Sequence, residues 1–145
     1  MPESEQLYQS AIIDLARAEN AKGRLPHADA TAVIHNPLCG DRVTVDVCAT
    51  VTTVTNFSQL VRGCVLCEAA ASWLGLHIRG QSLDALLESA DAITAMMRGE
   101  HTSLPAPFDE LDMFSPVADY RSRHRCVSLP FEALVSALHD VRALK

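Results

Sequence analysis

Three cysteines and one aspartate hold most of the chemistry this chain offers. Cys39 and Asp41 lie in Asn36-Pro37-Leu38-Cys39-Gly40-Asp41, Cys64 follows Gly63, and Cys126 lies in Arg125-Cys126-Val127. Together they supply three soft thiolates and one harder carboxylate, a donor set that suits one tetrahedral metal or a small iron–sulfur cluster. Cys39 and Asp41 are two residues apart, so in an extended loop both side chains face the same way. Gly40 between them permits a tight turn. Cys64 and Cys126 each fall at an expected helix start, where unpaired N–H groups and the helix dipole favour a thiolate. Arg62, Arg123 and Arg125 flank these cysteines and offset part of the roughly -2 charge of such a ligand set around a divalent ion. The spacings are long, unlike the compact pairs of zinc fingers, and on spacing alone unrelated buried cysteines remain the other reading.

The elements that must position these groups follow from periodicity. Residues 3–19 read as an amphipathic helix through Leu7, Tyr8, Ile12, Leu15 and Ala16. Residues 20–41, with Gly23, Pro26, Pro37 and Gly40, read mainly as loop. From Arg42 the period changes to two: Val43, Val45 and Val47 alternate with Thr44, Asp46 and Cys48, a half-buried strand. Residues 50–62 are expected to add two further short antiparallel strands, through Val51, Val54, Phe57 and Val61.

A helix is expected from Gly63 to Gly75, and another from the candidate N-cap Ser82 to about Arg98, ending at Gly99. Residues 100–122 hold Pro105, Pro107 and Pro116 and read as an insertion-like loop or short turns. The last helix is expected from about Cys126 to Leu144, with Pro130 tolerated near its first turn. This order predicts an α+β fold: a small antiparallel three-stranded sheet with helices packed on one face and a metal site at the loop ends.

Size and charge narrow the function. At 145 residues the expectation is one domain, 1–145, with a single core, and a 48% apolar content suits a folded globule. A net charge of -6 argues against nucleic acid or an anionic membrane as general partners. No run approaches the ~20 apolar residues of a transmembrane helix. Met1-Pro2-Glu3-Ser4-Glu5 lacks the basic start of a signal peptide, so a cytoplasmic location is expected. Five cysteines in that reducing setting point to metal or thiol chemistry rather than disulfides.

Other candidates have plainer roles. Cys64-Val65-Leu66-Cys67 is a C-x-x-C without the βαβ surroundings of a redox pair, and Cys67 reads as packing. Cys48, off the parity of the valines, reads as structural. His35 and His124 lie near the ligand candidates and read as polar neighbours. His27, His77, His101 and His139 read as surface or cap residues, and Trp73 as core.

The motifs also carry a resemblance. Asn36-Pro37-Leu38-Cys39-Gly40-Asp41 resembles the N-P-x-C-G-D signature of the NifU/IscU/SufU family of iron–sulfur assembly proteins. Gly63-Cys64-Val65-Leu66 is similar to its G-C-x-I, and Ala70-Ala71-Ser72 to the small-residue run that follows. Gly80-Gln81-Ser82-Leu83-Asp84 is similar to its G-K-S-L-D/E, and Arg123-His124-Arg125-Cys126-Val127-Ser128-Leu129 to its R-x-x-C-x-x-L. Gln59-Leu60-Val61-Arg62-Gly63-Cys64 departs from the family's F-x-G-x-G-C, and Leu66-Cys67 from its I-S. Arg125 stands where IscU-like chains resemble one another in having histidine before the third cysteine, and residues 100–122 resemble an insertion of SufU-like chains.

The resemblance is therefore nearest to SufU. It implies a zinc ion held by Cys39, Asp41, Cys64 and Cys126, and acceptance of persulfide sulfur from a cysteine desulfurase, with Cys39 as acceptor. Sulfur would then pass to a downstream assembly complex. The alternative it leaves open is a scaffold on which the same four residues hold a transient [2Fe-2S] cluster for apo-proteins. A zinc-stapled interaction module is the third reading.

Overall fold

The computed structural model describes residues 9–38, 40–101 and 103–145. Helix α1 (Ser10–Ala18) is followed by three strands, β1 (Ala30–Asn36), β2 (Asp41–Ala49) and β3 (Val54–Arg62). Helices α2 (Val65–His77) and α3 (Leu83–Met97) come next, then 3-10 turns over Phe108–Asp119 and Arg121–Arg123, and finally α4 (His124–Leu144). The strands form one antiparallel sheet in the order β1-β2-β3. The expected α+β layout, with helices against a three-stranded antiparallel sheet, is what the structure shows.

The valine alternation decides which face is covered. Val43, Val45 and Val47 are fully buried beneath α4, which packs on β1 and β2, while α2 packs on β3 and α4. Leu129, Ala133, Leu134, Ala137, Leu138 and Val141 form the buried stripe of α4, at the spacing of one helical face. Ser82 caps α3, its Oγ accepting from the Ala85 N–H at 3.0 Å.

Three sequence expectations need correction. Residues 20–41 are not mainly loop, because they contain β1. That strand buries small residues, Ala30 and Ala32, and turns Val33 outward, so it lacks the usual apolar alternation. Residues 50–62 hold one strand rather than two. Ala49 pairs with Val54 but Cys48 pairs with Asn56, so Thr55 is an extra residue at a bulge. The bulge puts Val54 and Phe57 on the same buried face although they are three apart, and Val51 is exposed in the preceding turn.

The remaining correction concerns α4. Helix α4 starts at His124, so Pro130 lies beyond its first turn. Its missing N–H removes the donor that would bond the Cys126 carbonyl. Within 100–122 short turns are present, as one of the two expected forms: Phe108–Asp119 is wound into 3-10 turns whose Phe108, Leu111, Phe114 and Val117 are buried. The expected helix over residues 3–19 is present as Ser10–Ala18, ending at a left-handed Glu19; residues 3–8 of it lie outside the described residues.

The opposite sheet face is partly covered by residues 22–31. Asp46 is buried there and accepts from Arg24 Nε at 2.6 Å, Arg24 Nη2 at 3.2 Å, the Leu25 N–H at 3.1 Å and Ser58 Oγ at 3.1 Å, with Thr31 Oγ1 a further donor. Burial opposes its ionisation, yet these donors outweigh it and hold the carboxyl down to about 2. On the inner side, Asn20 closes α1 onto α2: its backbone N–H and its Nδ2 both donate to buried Ser72 Oγ at 3.0 Å. Gln59 Nε2 donates to the Asn20 carbonyl at 2.9 Å. The α1–α2 connection is thereby tied to the strand that leads into Cys64.

Candidate metal centre

The three site groups that the structure describes arrive on three different elements. Asp41 opens β2, Cys64 is the N-cap of α2, and Cys126 sits in the first turn of α4. One donor atom from each lies within 4.8 Å of the others. Cys39 lies outside the described residues.

The β1–β2 turn is built to present Asp41. Asn36, buried at its start, accepts from the Leu38 N–H through Oδ1 at 3.0 Å and from the Gly40 N–H through its carbonyl at 2.8 Å. Such an Asx-type turn satisfies backbone donors that the strand ladder has released. Gly40 has φ +78°, a left-handed conformation that glycine adopts without strain. Asn36 then pairs with Asp41, and the Asp41 side chain reaches across to the end of β3. There Oδ1 accepts from the Cys64 N–H at 3.3 Å and Oδ2 lies 3.9 Å from Cys64 Sγ.

The two site thiols, Cys64 and Cys126, are shifted in opposite directions. Cys64 is lowered to about 6, first by donation from the Cys126 thiol, with burial opposing, and then by the Cys67 N–H; the Asp41 charge opposes and the Leu66 N–H assists. Free α2 N–H groups thus act on the sulfur as the helix start predicts. Cys126 is shifted up, because its proton bridges to Cys64 and because burial and the Asp41 charge disfavour a second anion. A bound cation would displace the proton shared by the pair by supplying positive charge.

The donor chemistry fits a tetrahedral zinc. Bonds of about 2.0–2.3 Å place neighbouring donors a little under 4 Å apart, close to the Cys64–Asp41 separation. Sulfur and carboxylate donors near 4 Å also suit a cluster iron. Among the described residues, Asp41, Cys64 and Cys126 are the one group of His, Cys, Asp or Glu arranged in this way.

The neighbouring candidates are placed elsewhere. His124 Nε2 bonds the Ala118 carbonyl at 2.8 Å, and exposed His35 pairs across the sheet with Arg42. The Arg125 guanidinium pairs with Glu132 at 3.0 Å. Cys67 is fully buried and serves Cys64 through its backbone. Cys48 donates to the His27 carbonyl at 3.3 Å. Trp73 is core, and its indole N–H bonds Glu110 at 3.1 Å. His77, in the last turn of α2, meets the same Glu110 oxygen at 3.0 Å. The tasks of Asn36 as turn former and Gly63 as the residue that leaves room for Asp41 escaped the sequence reading, since both depend on contacts between elements.

These features define a small α+β protein that brings one carboxylate and two cysteine sulfurs together at one end of its sheet. The chain belongs to the NifU-like N terminal domain family, which it matches over residues 7–127. It is 24% identical over 132 residues to the iron-sulfur cluster assembly scaffold protein IscU of Streptococcus pyogenes serotype M1, covering 91% of this chain and 82% of that one. It is 25% identical over 131 residues to the zinc-dependent sulfurtransferase SufU of Bacillus subtilis, covering 90% and 88%. The crystal structure of a nitrogen-fixing NifU-like protein (N-terminal) from Brucella abortus superposes with a TM-score of 0.94 at 28% identity, covering 99% of each chain. No helix among the described residues is long and apolar enough to cross a membrane.

Proposed function

We infer that this protein works in iron–sulfur cluster assembly as a zinc-dependent sulfur acceptor. Cys39, Asp41, Cys64 and Cys126 are its ligand set, and a cysteine desulfurase is its donor. The observation that supports this most is the meeting of Asp41, Cys64 and Cys126 within 4.8 Å from three separate elements. Arg125, paired with Glu132 where IscU-like chains have histidine, favours zinc with a three-cysteine, one-aspartate set. The whole chain, 1–145, acts as one unit in which 100–122 is an insertion, and it works in the cytoplasm.

Bound zinc would hold the sulfurs as thiolates at neutral pH. Sulfur transfer is a thiol exchange. The Cys39 thiolate attacks the outer sulfur of the donor's persulfide and forms a new S–S bond. The donor's own S–S bond breaks, and its cysteine leaves as a thiolate. Cys39 then carries the persulfide, and no net oxidation has occurred. Asp41, the harder donor, keeps the site exchangeable. The sulfur passes on to a downstream assembly complex.

The relatives named as scaffolds support a second reading, in which the same residues hold a transient [2Fe-2S] cluster for apo-proteins. Metal and acid-labile sulfide analysis of protein purified without air separates the two. About one zinc per chain without sulfide supports the acceptor. Stoichiometric iron and sulfide without zinc supports the scaffold.

A further inference from the structure

The sheet face turned away from the helices carries an unusual row at the end nearest the site. His35 pairs directly with Arg42, and Arg42 pairs directly with Arg62, so the three side chains line up across β1, β2 and β3 on one face. All three are exposed. Like charges directly opposite on neighbouring strands repel, yet among the described residues none of the three side chains has a hydrogen-bond or ion-pair partner. The next row inward is Val33–Thr44–Leu60, with Val33 44% exposed. In the adjoining turn Leu38 is 95% exposed. A chain of net charge -6 thus keeps an uncompensated basic row beside exposed apolar side chains.

The row is also close to the chemistry. Arg42 follows Asp41 directly, and Arg62 is separated from Cys64 only by Gly63. The Asp41 side chain belongs to the covered face and bonds to the Cys64 N–H, so it does not share the row's face. The row and the site thus share one end of the sheet, on its two faces.

We propose that the His35–Arg42–Arg62 row, with Val33 and Leu60, docks an acidic, partly apolar face of the sulfur-donating desulfurase. This deepens the acceptor reading and rests on it. Opposite charge removes the repulsion between the arginines and steers the encounter, and the apolar row supplies the dehydrated contact.

The test is a titration of the desulfurase with zinc-loaded parent, Arg42→Glu, Arg62→Glu and Val33→Asp, with zinc content and melting temperature read on each. The docking account expects the half-saturating concentration to rise about tenfold in each arginine variant, with zinc content and melting kept. It also expects a steeper salt dependence in the parent than in the arginine variants. If the parent saturates normally and all three variants match it, docking on this face is wrong and the acceptor reading stands. If the arginine variants lose zinc instead, and reloading restores parental saturation, the row serves the metal and the docking account falls. If the parent neither binds the desulfurase nor accepts sulfur, the acceptor reading fails and takes the docking account with it.

Discussion

The Asp41 carboxylate occupies the space that a side chain on Gly63 would need: a Cβ there would lie 2.5 Å from Asp41 Oδ1 and 2.8 Å from its Cγ. The β3–α2 junction and the first residue of β2 are therefore fitted to each other. Gly63→Ala is expected to push the carboxylate off the Cys64 N–H while every candidate ligand stays in the chain. Zinc affinity should drop by about 10–100-fold, as for other changes that disturb ligand support. Competition with a coloured chelator measures it, and unaltered affinity would mean that Asp41 is not a ligand.

Removing a ligand should also cost stability. A site that ties β2, α2 and α4 together adds its binding free energy to folding. Cys64→Ala and Cys126→Ala should each lower the melting temperature of zinc-loaded protein by about 5 °C or more. Chelation should lower the parent to a similar value and leave the variants little changed. Calorimetry with and without chelator makes the comparison.

Asp46 gives an acid limb that is independent of the site. Its folded-state value of about 2 lies below the ordinary 3.8, so its contribution is present above about pH 4 and lost as pH falls toward 2. The shift corresponds to on the order of 2 kcal/mol. Urea unfolding of zinc-free protein between pH 6 and pH 3 should show the parent losing stability more steeply than Asp46→Asn. The variant itself should also be weaker at pH 6, because the Leu25 N–H and Ser58 Oγ lose a charged acceptor. Parallel pH profiles would show that Asp46 does not contribute to the acid limb.

Ser72→Ala tests the clamp between α1 and α2. It deprives the Asn20 N–H and Nδ2 of their acceptor and should destabilise by about 1–3 kcal/mol. Denaturant unfolding of zinc-loaded parent and variant reads the loss. A difference below about 0.5 kcal/mol would show that solvent replaces the bond.

Much of the fold can be read from local pattern. Val43, Val45 and Val47 mark β2, Ser82 marks the start of α3, and the α4 stripe follows helical spacing. What cannot be read depends on partners distant in sequence. Strand β1 buries alanines beneath α4 and shows no alternation until that helix is in place. The Thr55 bulge breaks the period of β3 because of its register against β2. At the candidate site, residue type singles out Asp41, Cys64 and Cys126. Their approach depends on the Asn36 turn, the bare Gly63 and the docking of α4, none of which a period reveals. Their assignment as ligands with Cys39 remains the proposal that the measurements above address.

The most direct test is to locate the transferred sulfur. Zinc-loaded protein is incubated with desulfurase and cysteine, digested under conditions that preserve persulfides, and read by mass spectrometry. The acceptor account predicts one added sulfur, about 32 Da, on Cys39 of the parent, and none at that position in Cys39→Ser. Sulfur on Cys64, Cys67 or Cys126 but never on Cys39 would contradict the assignment of the acceptor. Sulfur on no cysteine, with a desulfurase that turns over, would contradict the relay itself.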